Sequence, residues 1–264
     1  MRSCTILILF FLVGFCQAKA FEESTQTDTL LSLKAAGDAY ARKNYAEAAE
    51  IYEQCIERAK ATAAHKELAA AYYNLGNAYY RLKDFPRAVL NFRRCLRLNP
   101  AHEDAAFNLK LTESKLTDRF DTPFEMFFIS WARDLVRSQS FRFWGILALI
   151  SLVVTCAFLF LFFFGHKVGW RKVGFTLTII CFLLTGCFHL FAGLQKAHFD
   201  HEQYAVVMQA LSTYSTPSTT AKKERTLHEG TILQIVDTFQ EGWIRVRLPD
   251  QTECWVETAG TEHV

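Results

Sequence analysis

The densest cluster of reactive side chains is His198-Phe199-Asp200-His201, two imidazoles and a carboxylate within four residues. These are metal-ligating types. They sit side by side just after a long apolar run, so a solvated strip beside that run is the plainer reading. His189 lies inside the run, where ionisable groups are often functional. No charged residue accompanies it, which favours a neutral imidazole bonded to a neighbouring helix through Thr185 or Thr155. The cysteines show no C-x-x-C or Cys/His spacing for zinc or redox chemistry. Cys55, Cys95 and Cys254 fall in polar parts of the chain, where small buried residues or a disulfide are both open. The sequence holds no G-x-x-x-x-G-K, G-x-G-x-x-G, H-E-x-x-H or G-x-S-x-G. With no nucleophile–base pair and no ligand set, the expectation is a protein that is not an enzyme and takes no cofactor.

The elements around these residues explain the composition. The chain has 264 residues, 51% of them hydrophobic, and a net charge of +2. That balance excludes a disordered acidic or basic tail and a polycation built for nucleic acid. The apolar residues are concentrated. Residues 143–165 and 173–195 carry no charge, and each exceeds the roughly 20 residues that cross a bilayer as a helix. The charges are also placed unevenly. Residues 122–172 hold six basic and two acidic residues, and residues 196–264 hold six basic and ten acidic.

The N-terminus has the form of a secretory signal over residues 1–20. Arg2 precedes the apolar run Ile6–Phe15, and Ala18-Lys19-Ala20 has the A-x-A form of a cleavage site. A lipoprotein at Cys16 and an uncleaved anchor are the alternatives. Export would place residue 21 onward outside the cytoplasm. The two spans would then be joined by a short basic inner loop, 166–172, as the positive-inside rule expects. Arg133, Arg137 and Arg142 weaken that agreement, so the signal decides the orientation. The implied place is the bacterial inner (cytoplasmic) membrane, with both end domains in the periplasm.

Residues 29–117 contain an internal repeat of helical periodicity. LKAAGDAYARKNYAEAAEIYEQCI aligns with YYNLGNAYYRLKDFPRAVLNFRRCLRLNP, and the second copy resembles the tetratricopeptide pattern. Gly37 and Gly76 are expected to let paired helices approach closely, as are Ala48 and Ala88. The glycines are 39 residues apart, against a usual repeat of about 34. Ala101–Leu116 has the spacing of one further helix, whose Ala105, Leu109 and Leu116 could cap the array. By that resemblance Lys34, Asp38, Tyr73, Asn74, Asn77, Tyr80 and Arg81 face a protein-binding groove. Asn74 and Asn77 stand where some relatives clamp a carboxylate, although Asp38 stands where that clamp needs Asn. Ordinary consensus roles for these residues are the other reading.

Residues 122–142 mix Phe124, Phe127, Phe128 and Trp131 with arginines, which suits a helix lying in the membrane interface. A linker packed on the repeats is the alternative. Residues 203–264 show short β-branched runs, AVVM, TILQIVD, GWIRVRL and ECWVE, separated by turn residues. This segment resembles bacterial SH3-like domains, and so implies a small β-barrel. Trp243 and Trp255 are its candidate contacts, or else one of them is core.

The fold class expected is therefore multidomain: α-helical tetratricopeptide hairpins, two transmembrane helices and a C-terminal SH3-like barrel. That domain order resembles the tetratricopeptide membrane proteins of the Bacteroides aerotolerance (Bat) family. The resemblance implies von Willebrand factor A-type membrane proteins and a MoxR-type ATPase as partners, and a role in oxygen or stress tolerance. The function expected is a non-enzymatic membrane scaffold, with a peptidoglycan-binding envelope protein as the alternative.

Overall fold

A computed structural model describes residues 31–61, 65–120, 126–137, 139–201, 203–239 and 242–264. The signal expected at residues 1–20 lies outside the described residues, as does the start of the aromatic stretch expected at 122–142.

The helical part repeats one turn. Helix α1 covers residues 31–41, followed by α2 (Tyr45–Ala61), α3 (His65–Leu82), α4 (Phe85–Leu98) and α5 (Glu103–Glu113). Both α1 and α3 stop at a lysine in the left-handed region, Lys43 and Lys83, each with φ 64°. The next amide reaches back to the helix, Asn44 N to Ala39 O and Asp84 N to Tyr79 O, both at 3.0 Å. These bonds satisfy carbonyls that a helix end otherwise leaves open. The same residue then caps the following helix. Asn44 Oδ1 accepts from Glu47 N at 3.4 Å, and Asp84 Oδ1 accepts from Arg87 N at 3.2 Å. A side-chain oxygen at that position stabilises a helix by about 1 kcal/mol. Lys-Asn-Tyr and Lys-Asp-Phe are thus two spellings of one stop-and-start signal.

Small residues set the spacing of these helices. Ala36, Ala39, Ala48, Ala78 and Ala88 are fully buried, with Cys55 and Cys95 at equivalent repeat positions. Phe92 fills the space beside Gly76, where a Cβ would lie 2.7 Å from the ring. Gly37 differs. Its Cβ would meet only the Tyr52 hydroxyl, at 3.9 Å, so the close approach expected at both glycines occurs at Gly76 alone.

Helix α6 (Phe127–Arg137) leads to α7 (Phe141–Phe164) and α8 (Val168–His201). Two of these, α7 and α8, are long and apolar enough to cross a membrane, over Phe141–Phe164 and Val168–Ala197. They pack as a hairpin. Gly174 lets α8 meet the α7 backbone, since a Cβ there would lie 2.8 Å from Phe162 N. A polar seam runs between them: Thr185 Oγ1 donates to Ser151 Oγ at 2.9 Å, and Ser151 Oγ donates to Cys181 O at 3.2 Å. At the open end, Trp144 stacks on Phe188 and meets Phe191 edge-on. His189 is therefore level with the start of α7, away from the middle of the apolar stretch.

The last segment is one antiparallel sheet of seven strands, ordered β3-β2-β6-β5-β4-β1-β7. The strands are β1 (Gln203–Val207), β2 (Leu211–Tyr214), β3 (Lys223–Leu227), β4 (Ile232–Phe239), β5 (Trp243–Arg247), β6 (Glu253–Glu257) and β7 (Thr261–His263). Alternation along β5 and β6 turns Ile244, Val246, Cys254 and Val256 into a core with Leu227 and Leu233. This is the period-2 pattern of a sheet covered on one face.

The sheet docks on the helices. Val206 is fully buried in the helical core cluster, with Met208, Ile232 and Val264 packed beside it. Arg94 donates to Glu262 at 2.9 Å and to His263 O at 2.7 Å, and Arg97 donates to Val264 O at 2.7 Å. The Arg93 guanidinium lies 5.1 Å from the Tyr204 ring centre.

Candidate protein-binding surfaces

The residues expected to face a groove lie on two helices. Lys34 and Asp38 are exposed on α1, four residues apart, and so share one face. On α3, Tyr73, Asn74, Asn77 and Tyr80 are half-buried and Arg81 is exposed. Arg81 Nε donates to Tyr40 OH at 3.3 Å, which ties α3 to α1. Asn77 Oδ1 accepts from Asn108 Nδ2 of α5 at 2.8 Å. The Tyr73 ring lies tilted against His102, with ring centres 4.5 Å apart, and Tyr80 packs on Phe85. Of the half-buried members, Tyr73, Asn77 and Tyr80 are thus partly committed to holding the repeats together. Lys34, Asp38 and Arg81 are the exposed charged members of the set.

The two tryptophans have different places. Trp243 is only 8% exposed and meets Tyr214 edge-on at 5.2 Å. Trp255 is half-buried on β6, opposite Tyr214 of β2 in the ladder. Lys223 Nζ lies 6.0 Å from the Tyr214 ring. Tyr214 is itself only 7% exposed, so the aromatic surface that a ligand could touch is Trp255.

A second surface lies where the two modules meet, and the sequence reading missed it. Asp118, in the segment after α5, accepts three hydrogen bonds: from His228 N at 2.8 Å, from His228 Nδ1 at 2.6 Å and from Thr231 Oγ1 at 2.6 Å. Burial pushes its carboxyl upward, but the bonds from Thr231 and His228 and the His228 charge outweigh that and hold it below the usual carboxylate range. Arg225 covers the Phe120 ring at 5.5 Å. Gly230, with φ 88°, brings backbone against Leu116, which a Cβ would meet at 2.4 Å. One signal was available in the sequence. Arg93, Arg94 and Arg97 crowd one side of α4 with no acid on that helix to pair them.

Nucleophiles and metal ligands are scarce. Burial pushes the Cys95 thiol up to about 12 and the Cys254 thiol up to about 11, so neither is a ready thiolate. Among the described residues no three His, Cys, Asp or Glu side chains gather to hold a metal ion. The side chains of His198, Asp200 and His201 lie outside the described residues.

Residues 26–101 match the tetratricopeptide repeat family. No curated protein matches the chain. The protein therefore contains tetratricopeptide repeats, which are modules of protein–protein interaction.

Proposed function

We propose that this chain is a non-enzymatic scaffold of the bacterial inner membrane, which gathers protein partners on its periplasmic side. One observation carries the reading. The helical module and the β module dock on each other, although α7 and α8 separate them in the chain. An even number of crossings returns a chain to the side it left, so the docking and a two-span hairpin agree. The basic loop Lys167, Arg171 and Lys172 then faces the cytoplasm. Exposed Phe127, Phe128 and Trp131 on α6 suit a helix lying in the interface, which holds the modules close to the bilayer.

The partner surface is the α1–α3 groove, with Lys34, Asp38 and Arg81 at its rim and Tyr73, Asn74, Asn77 and Tyr80 within it. The β module is of the SH3-like kind, a small barrel. The complex is of the Bat type, with von Willebrand factor A-type membrane proteins and a MoxR-type ATPase. The short inner loop offers little cytoplasmic surface, so the ATPase is reached through the other membrane proteins. Crosslinking with mass spectrometry in native membranes tests this. Crosslinks from the groove to other membrane proteins are expected, and Lys34→Glu with Arg81→Glu should reduce them several-fold. The scaffold reading fails if gentle detergent extraction brings down no membrane partner. A reporter fused after Val264 tests topology, and cytoplasmic activity there would overturn the orientation. The peptidoglycan reading keeps Trp255 as its contact, since Trp243 is buried. Failure of the full chain to sediment with peptidoglycan removes it.

A further inference from the structure

A cleft of about 660 Å³ opens between the two modules, inside the roughly 300–1,000 Å³ of ordinary ligand sites. One wall is apolar, with Leu116 and Phe120 from the segment after α5, Ile232 from β4 and Leu248 from the turn after β5. The other groups are polar, and their pairings leave an imbalance. Asp118 spends its oxygens on His228 and Thr231. Arg247 pairs with Glu253 at 2.6 Å, and Glu113 stands 3.6 Å from Arg93. The acids are therefore engaged. The cations are not all engaged. Arg93 Nε is buried without a hydrogen-bond partner, and Arg119 is exposed and makes no ion pair among the described residues. The side chains of Gln234 and Gln251 line the same cleft without hydrogen bonds among the described residues.

Such a site has donors to spare and no spare anionic acceptor. What completes it carries a carboxylate at Arg119 and an apolar group against Phe120 and Leu248. A guanidinium favours a carboxylate through charge-assisted, two-point bonding. We infer that the inter-module cleft binds an acidic, apolar-flanked peptide segment of a partner protein, with an Asp or Glu side chain of that segment paired to Arg119. This deepens the scaffold reading and rests on it only in taking a protein as the partner. The sheet supplies half of the site, so neither module would bind this segment alone.

The test is selection of random seven-residue peptides, displayed on phage, against the full chain in detergent. Enrichment of Asp or Glu beside Leu, Ile or Phe is expected. The selected peptide, labelled and followed by fluorescence polarisation, should lose affinity on the order of tenfold with Arg119→Glu. Arg119→Lys should fall between wild type and Arg119→Glu, because an ammonium keeps the charge and loses the two-point geometry. Arg119 makes no ion pair among the described residues, so unchanged circular dichroism is expected for both variants. Basic or purely neutral peptides would overturn the inference, as would acidic peptides that bind Arg119→Glu as well as wild type. Acidic peptides lost with Lys34→Glu and Arg81→Glu instead would overturn it and leave the groove standing. No enrichment while membrane partners still crosslink would sink the cleft alone. No enrichment and no crosslinks would sink the scaffold reading with it.

Discussion

At the residue scale, two glycines that align in the sequence repeat stand one residue out of step in the structure and have opposite consequences. Gly76 faces the Phe92 ring, and a Cβ there would stand 2.7 Å from two ring carbons. Phe92 is fully buried, so the ring has nowhere to move. Overpacking of this kind costs about 1–3 kcal/mol, against about 1 kcal/mol gained from alanine's better helix propensity. Gly76→Ala should therefore lower stability, by up to about 2 kcal/mol on those figures. Gly37 has open space, with only the Tyr52 hydroxyl 3.9 Å away. Gly37→Ala should raise stability by up to about 1 kcal/mol. Thermal unfolding followed by circular dichroism reads both, and melting shifts of the same sign would refute the contrast. The repeat pattern in the sequence marks both glycines but cannot separate them. Their difference arises because the glycine-to-aromatic spacing is one residue shorter in the first copy, Gly37 to Tyr52 against Gly76 to Phe92. Which ring reaches which glycine depends on packing between helices. Composition alone does not carry that information.

At the element scale, legibility follows burial. The apolar runs give α7 and α8 directly, because length and lack of charge are sufficient signals. The runs AVVM, TILQIVD, GWIRVRL and ECWVE fall on β1, β4, β5 and β6, which are consecutive neighbours in the sheet. The strands without a sequence signal, β2, β3 and β7, complete its two ends. There β3 exposes four of its five residues and β7 two of its three. Edge strands are short and polar because one side is uncovered, so the alternation that betrays a strand is absent. The hairpin of α7 and α8 poses a similar problem. Its register depends on Gly174, one of several glycines in α8 that look alike in sequence. A Cβ at Gly174 would lie 2.8 Å from Phe162 N and 3.0 Å from Phe158 O, backbone atoms that cannot swing aside. Gly186 and Gly193 have nothing within 4 Å. Gly174→Ala should therefore loosen the hairpin and lower the melting temperature in detergent, while Gly186→Ala should not. Tryptophan fluorescence reports this, because Trp144 stacks on Phe188 at the hairpin's open end. Equal effects of the two substitutions would mean that the helices do not meet at Gly174.

At the scale of the whole molecule, the helical and β modules behave as one body if the bonds between them hold. Those bonds join residues more than 100 positions apart in the chain, such as Asp118 with His228. No local pattern announces such a pairing, so the composite cleft could not be read from the sequence. Its stability should depend on pH in a definite direction. The Asp118 carboxyl is held below its ordinary value in the docked state. The ionised form therefore favours docking, in full above the ordinary carboxylate value near 4. The contribution is lost as pH falls through the lower, docked-state value. Asp118→Asn should imitate the acid state at neutral pH, because an amide offers one acceptor oxygen where the carboxylate offers two. Loss of charge-assisted bonds of this kind costs about 2 kcal/mol. Gly230→Ala should have the same consequence by a different route, since its φ is 88° and its Cβ would strike Leu116. Hydrogen exchange in the full chain separates undocking from unfolding. Faster exchange is expected at residues 228–231 and in β1, while amides inside α3 keep their protection. If both variants exchange like wild type at neutral pH, the modules are not held together by this contact, and the cleft between them loses its sheet wall.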